Sequence, residues 1–113
     1  MKNCLVINTD DSINVISTED HDLIRTIRDI ISVKAGTIDI DVPCINSNYR
    51  LIINDDYFES DEMIKNNIAT KLSKNSSIFG KAVLVKVINN FNSGTEEDII
   101  CLSDDEISKI KLF

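Results

Sequence analysis

The chain has 113 residues, with 12 Lys and Arg against 19 Asp and Glu, a net charge of −7, three Cys, three Gly and one Pro. That length allows one domain over residues 1–113 and excludes a catalytic fold of barrel or dinucleotide-binding size. At 42% hydrophobic it is rich enough to bury a single core. The acidic balance repels phosphate backbones and acidic lipid, so direct nucleic-acid binding is not expected. With no apolar run of bilayer length and no signal peptide in MKNCLVINTDD, the expected location is the cytoplasm.

Cys4-Leu5-Val6-Ile7 and Ile13-Asn14-Val15-Ile16 read as two short strands joined by the Asx-rich turn Asn8 to Ser12. Acidic Glu19, Asp20 and Asp22 suit the positive end of a following helix. Leu23, Ile24, Ile27, Ile30 and Ile31 then form one helical face, with Arg25, Arg28 and Asp29 toward solvent. After the break at Ala35-Gly36, Thr37 to Val42 alternates strictly and predicts a half-buried strand that Pro43 ends. Past the Asn46-Ser47-Asn48 turn, Tyr49-Arg50-Leu51-Ile52-Ile53 predicts a more deeply buried strand, stopped by Asn54-Asp55-Asp56.

A helix is expected from Ser60, with Ile64, Ile68 and Leu72 as its narrow stripe and Asn66-Asn67 weakening it. Ser73 to Ser77 reads as a loop, and Ala82 to Ile88 as a central strand. Asn89 to Asp98 reads as a connector, and Ile99 to Leu102 as a strand that pairs back in a hairpin. Ser103-Asp104-Asp105-Glu106 has capping-box spacing and opens a C-terminal helix through Ile107, Ile110 and Lys111. The order of elements predicts an α+β fold: a mostly antiparallel sheet of about five to six strands, with two or three helices packed on one face or end.

Catalytic templates are missing from the sequence. His21 is a lone histidine in a helix's first turn, and it reads as a surface or capping residue. Neither a nucleophile elbow nor a glycine-rich phosphate loop is present, which argues against nucleotide triphosphate chemistry. Cys4, Cys44 and Cys101 have no C-x-x-C spacing and read as small buried apolar groups. The pairs Asp10-Asp11, Asp39/Asp41, Asp55-Asp56 and Asp104-Asp105 match no EF-hand, and turn formation or capping accounts for most of them. No cofactor or metal is therefore expected. Asn54-Asp55-Asp56-Tyr57-Phe58 is the candidate recognition loop, because two adjacent aromatics supply contact area at little entropic cost; the competing and favoured reading is that one of Tyr57 and Phe58 closes the core beneath the loop. Asn67 and Arg50 join it as further candidate binding residues.

Certain ordered motifs resemble a family of small uncharacterised domains common in phages and bacterial mobile elements. They are Leu5-Val6-Ile7-Asn8, Gly36-Thr37-Ile38-Asp39, the strand ending in Asn54-Asp55-Asp56, Asn67-Ile68-Ala69-Thr70, Ile78-Phe79-Gly80 and Leu102-Ser103-Asp104-Asp105-Glu106. The resemblance implies an α+β domain in a phage or mobile-element setting, in the host cytoplasm, and it implies no mechanism.

Three functions compete. The first is a non-enzymatic inhibitor of a host defence factor, which occludes a protein or sequesters a small nucleotide signal. Sequestering phosphates would fall to Arg25, Arg28, Arg50, Lys81 and Lys86. The second is a small metal-dependent hydrolase using the Asp pairs. The third is a structural module that self-associates through an edge strand into a homo-oligomer.

Overall fold

The computed structural model describes residues 2–31, 37–42, 48–54, 64–74, 77–89 and 97–110. The fold is α+β, built on an antiparallel sheet with three α-helices. The strands are β1 (Lys2–Ile7), β2 (Ile13–Ser17), β3 (Thr37–Asp41), β4 (Tyr49–Asn54), β5 (Ala82–Asn89), β6 (Glu97–Ile100) and β7 (Leu102–Ser103). The helices are α1 (Leu23–Ile31), α2 (Asn67–Ser73) and α3 (Asp104–Ile110), with a 3₁₀ turn at Asp20–Asp22 entering α1.

The order across the sheet is β2-β1-β5-β4-β3, with β6 on β5 and β7 on β1. β1 and β5 pair only from Leu5 opposite Leu84 to Ile7 opposite Ala82. Beyond that they part. Lys86 to Asn89 of β5 turn to β6, while Lys2 and Asn3 of β1 turn to β7. Residues 97–103 thus enter a fork in the sheet, and the strand expected over Ile99 to Leu102 is broken at Cys101, where it changes partner.

Helices cover both faces of the sheet, which corrects the expectation of one face or end. Leu23, Ile27 and Ile31 of α1 pack with Cys4, Val6, Ile52, Val83, Val85 and Cys101. Across the sheet, Ala69 and Leu72 of α2 and Ile107 of α3 pack with Leu5, Ile7, Leu51, Ile53, Ala82 and Leu84. Side chains alternate across a strand, so a strand buried on both faces has no polar alternate. This is why Cys4 to Ile7 and Ala82 to Val85 are uninterrupted apolar runs. The cover on the α1 side is narrower than the sequence pattern predicts. Ile24 is 62% exposed, and the buried stripe runs at intervals of four through Leu23, Ile27 and Ile31.

The second helix begins later than Ser60. Ile64 is 56% exposed, Lys65 forms an isolated bridge with Phe79, and α2 starts at Asn67. Asn66, read in the sequence as a helix weakener, is the helix cap. It is fully buried, its Oδ1 accepts from the Ala69 amide at 3.0 Å, and its Nδ2 donates to the carbonyls of Ile7 and Gly80, each at 2.9 Å. One side chain thereby ties the start of α2 to the end of β1 and the approach to β5. Gly80, which has φ +78, supplies the left-handed turn that brings its carbonyl there. The capping box of α3 forms in both directions: the Ser103 amide donates to Glu106 Oε1 at 3.1 Å, and the Glu106 amide to Ser103 Oγ at 3.2 Å.

Asn66→Ala removes a cap and leaves buried carbonyls short of a donor. An unfolding free energy lowered by about 2 to 4 kcal/mol is expected in urea denaturation. A loss below about 0.5 kcal/mol would contradict this role for the side chain.

Candidate functional site

Three of the seven candidate residues, Arg50, Asn54 and Asn67, fall among the described residues, and they divide between the two sides of the sheet. Arg50 and Asn54 alternate with Leu51 and Ile53 and lie on the α1 side of the sheet, whereas Asn67 begins α2 on the other side. Asn54 is half-buried, and its Nδ2 donates to the Ile31 carbonyl at 3.1 Å, closing the C-terminal end of α1 against β4. Arg50 Nη1 donates to the carbonyl of Tyr49 at 2.9 Å. Asn67 is exposed, with its Nδ2 3.5 Å from Asp11 Oδ1. Asp55, Asp56, Tyr57 and Phe58 lie outside the described residues, as do Cys44 and the expected helix start at Ser60 to Glu62.

The carboxylates of the described residues disperse as well. Among the described residues no three His, Cys, Asp or Glu side chains gather as a cation would require. Asp10 accepts from the Ser12 amide at 3.0 Å and from its hydroxyl, which makes it a turn former. Asp104 accepts from Asn3 Nδ2 at 2.8 Å. His21 lies on the surface beside Asp22.

Two polar clusters missed in the sequence hold the fold together. The first is at the fork. Where the strand breaks, the Cys101 amide has left the ladder, and it donates instead to Asp20 Oδ1 at 2.9 Å. Lys2 Nζ pairs with the other oxygen of Asp20, and these two donors hold the Asp20 carboxyl down to about 2. Beside them Asn3, 1% exposed, links Ser17 of β2 to Asp104 of α3. The second cluster is on the α3 side, where Glu106 Oε2 accepts from Tyr49 Oη at 2.7 Å and lies 3.3 Å from Lys86 Nζ. Burial, then the Glu106 carboxylate, push the Tyr49 phenol up to about 12. Burial alone would raise Glu106, but bonds from Tyr49, the Ser103 amide and Lys86 outweigh it and hold the carboxyl below its usual range. Neither arrangement has a sequence signature beyond the capping-box spacing, because each joins residues distant in the chain.

A further exposed feature is the strand at one margin of the sheet. Among the described residues β2 pairs only with β1, in five consecutive antiparallel pairs from Ile7 opposite Ile13 to Asn3 opposite Ser17. The Asn8 amide donates to the Ser12 carbonyl and the Thr18 amide to the Lys2 carbonyl, so the bonded pairs fall on the even residues of this strand. That register turns the N–H and C=O of Ile13 and Val15 to the outer margin. Val15 is 39% exposed. Residues 8–22, which contain β2 and both its flanks, carry five carboxylates, Asp10, Asp11, Glu19, Asp20 and Asp22, and no Lys or Arg. An open groove of about 650 Å³ continues the margin toward α1, lined by Lys2, Thr18, Glu19, Asp22, Arg25 and Thr26. Its cations are engaged, Arg25 with Asp22 at 3.0 Å and Lys2 with Asp20.

No protein-family model, curated protein or solved structure matches the chain. No helix among the described residues is long and apolar enough to cross a membrane.

Two predictions follow from these environments. Asp20 and Glu106 have carboxyls lowered by folding, so their stabilisation is present above the ordinary carboxylate range and is lost as pH falls through the folded values, about 2 for Asp20. Tyr49 has the opposite sign: its contribution is complete below its ordinary value of 10.0 and is lost as pH rises through about 12. Urea midpoints measured across pH should show both limbs, with Asp20→Asn flattening the acid limb and Tyr49→Phe the alkaline one. Unchanged limbs in the variants would contradict the assignments. Cys4 and Cys101 are buried, and burial pushes their thiols up to about 11 and about 12. Iodoacetamide at about pH 8 should alkylate neither in the native protein and both in denaturant, as read by peptide mass spectrometry. Native labelling at the denatured rate would contradict the packing described.

Proposed function

We propose that this chain is a non-catalytic binding protein that inhibits a host factor by occluding a protein surface, in the phage or mobile-element setting implied by the resemblance of its motifs. The observation that carries this reading is the margin formed by residues 8–22. It carries five carboxylates and no Lys or Arg of its own, and three of the five, Asp10, Asp11 and Glu19, lie outside the ion pairs that Lys2 makes with Asp20 and Arg25 with Asp22, beside an outer strand on a sheet whose two faces are occupied by its own helices. A surface of that kind meets a basic protein surface through long-range attraction and does not require a reactive group.

Sequestration of a nucleotide signal has less support. Four of the five cations considered for phosphates, Arg25, Arg28, Arg50 and Lys86, are divided between the two sides of the sheet. Arg25 and Arg28 are on α1, and Arg50 is on the α1 side of β4. Lys86 reaches Glu106 on the α3 side, and Arg25 is engaged with Asp22.

The test is capture of host proteins from a bacterial lysate on the immobilised full chain, beside the double variant Asp11→Asn, Glu19→Gln. Both positions are exposed. The protein retained by the natural chain should elute between about 0.1 and 0.5 M NaCl, and the variant should retain it at least about fivefold less at an unchanged melting temperature. Retention that is indifferent to salt up to about 1 M and to the two substitutions would overturn the reading. So would a rise in melting temperature with cyclic dinucleotides or ADP-ribose derivatives.

A further inference from the structure

The two margins of the sheet are built differently. β3, at one margin, carries Asp39 and Asp41 within the strand and is followed by Pro43. Charges and proline are the common means by which proteins discourage an added strand. β2, at the other margin, has the sequence Ile-Asn-Val-Ile-Ser, with no charge, no Pro and no Gly, and its five regular pairs with β1 contain no bulge. By the same rule it is an open template among the described residues, with the backbone groups of Ile13 and Val15 facing outward and the Val15 side chain, 39% exposed, on the sheet face beside them.

We infer that β2 takes an added strand, and that the occupant is an extended, basic segment of another protein. This deepens the reading proposed above and rests on it. The charge pattern selects the occupant. Asp10 and Asp11 precede the strand, Glu19 follows it, and no Lys or Arg lies between Asn8 and Asp22. An entering strand with Lys or Arg toward its ends meets carboxylates at both ends, while its backbone completes the ladder at Ile13 and Val15. A second copy of this chain fits poorly. Each copy carries a net charge of −7 and the same carboxylates at both ends of β2, so two copies repel one another along this margin. The open groove beyond the end of the strand, lined by Lys2 and Arg25 as well as Glu19 and Asp22, gives an entering chain room to continue toward α1 without adding to the charge selection.

The experiment is calorimetric titration of the full chain with synthetic strands of about eight residues. One alternates Val with Lys, a second has Glu in place of Lys, and a third is the Lys peptide N-methylated at alternate amides. The Lys peptide should bind with one-to-one stoichiometry and weaken about tenfold between about 0.05 and 0.5 M NaCl. The N-methylated and Glu peptides should bind at least about tenfold more weakly. Val15→Pro removes an outward N–H without removing a bond to β1, and it should lose the Lys peptide. Val15→Lys, which places a cation on the margin and keeps the backbone intact, should lose it as well if the proline variant does not fold. Equal affinity for the Lys and N-methylated peptides, or binding unaffected in a folded Val15 variant, overturns the added strand. Sedimentation that shows a dimer disrupted by Val15→Lys makes the occupant a second copy and overturns the basic one. The two levels of the reading separate cleanly: salt-sensitive capture from lysate that persists in Val15→Lys would leave protein occlusion standing and remove β2 as its site.

Discussion

The burial of one antiparallel sheet on both faces is the constraint from which the rest of this structure follows. β1 and β5 run through the middle, and their alternate side chains meet α1 on one side and α2 with α3 on the other. No residue in the middle of either strand is left to face water. Any polar group placed there needs an internal partner. Asn3 and Asn66 meet that requirement, and no buried side-chain nitrogen or oxygen among the described residues lacks a hydrogen-bond partner. Where the sheet forks at Cys101, the freed amide is taken by Asp20, and that contact also fixes the entry to α1.

Burial of both faces also explains what could be read from the sequence. The apolar runs at residues 4–7 and 82–85, the alternation at 37–42 and the capping box at 103–106 are local patterns, and each is an element of the observed fold. The side of the sheet a helix covers is not local information. Two helices on opposite faces leave the same amphipathic pattern as two on one face. Ile24 looked like part of the α1 stripe because its spacing permits it, and only the position of the sheet shows that it points away. Asn66 was misjudged for a related reason. Propensity disfavours Asn inside a helix, and the same short amide favours it one residue earlier as a cap.

The candidate site was less legible than the fold. The sheet sets Arg50 and Asn54 on one side and Asn67 on the other, with Asn54 serving to fasten α1. The polar groups that do converge, Asn3 with Asp104 and Tyr49 with Glu106 and Lys86, are more than 50 residues apart for their principal bonds, beyond the reach of any spacing rule. They are consumed in holding elements together. Among the described residues, the carboxylates of residues 8–22 flank β2, the outermost strand at one margin of the sheet. In the sequence they read as turn formers and helix starters. Around an outer strand they also set which chains can approach it.

The central claim is that β2 is an open margin and not a covered one. Residue-resolved amide exchange of the free protein tests this directly, because it reports on single backbone groups. The account predicts that Asn14 and Ile16, bonded to β1, exchange slowly, and that Ile13 and Val15 exchange at least about tenfold faster in the same strand. Equal protection at all four amides would mean that the margin is already covered in the protein alone, and it would contradict the account.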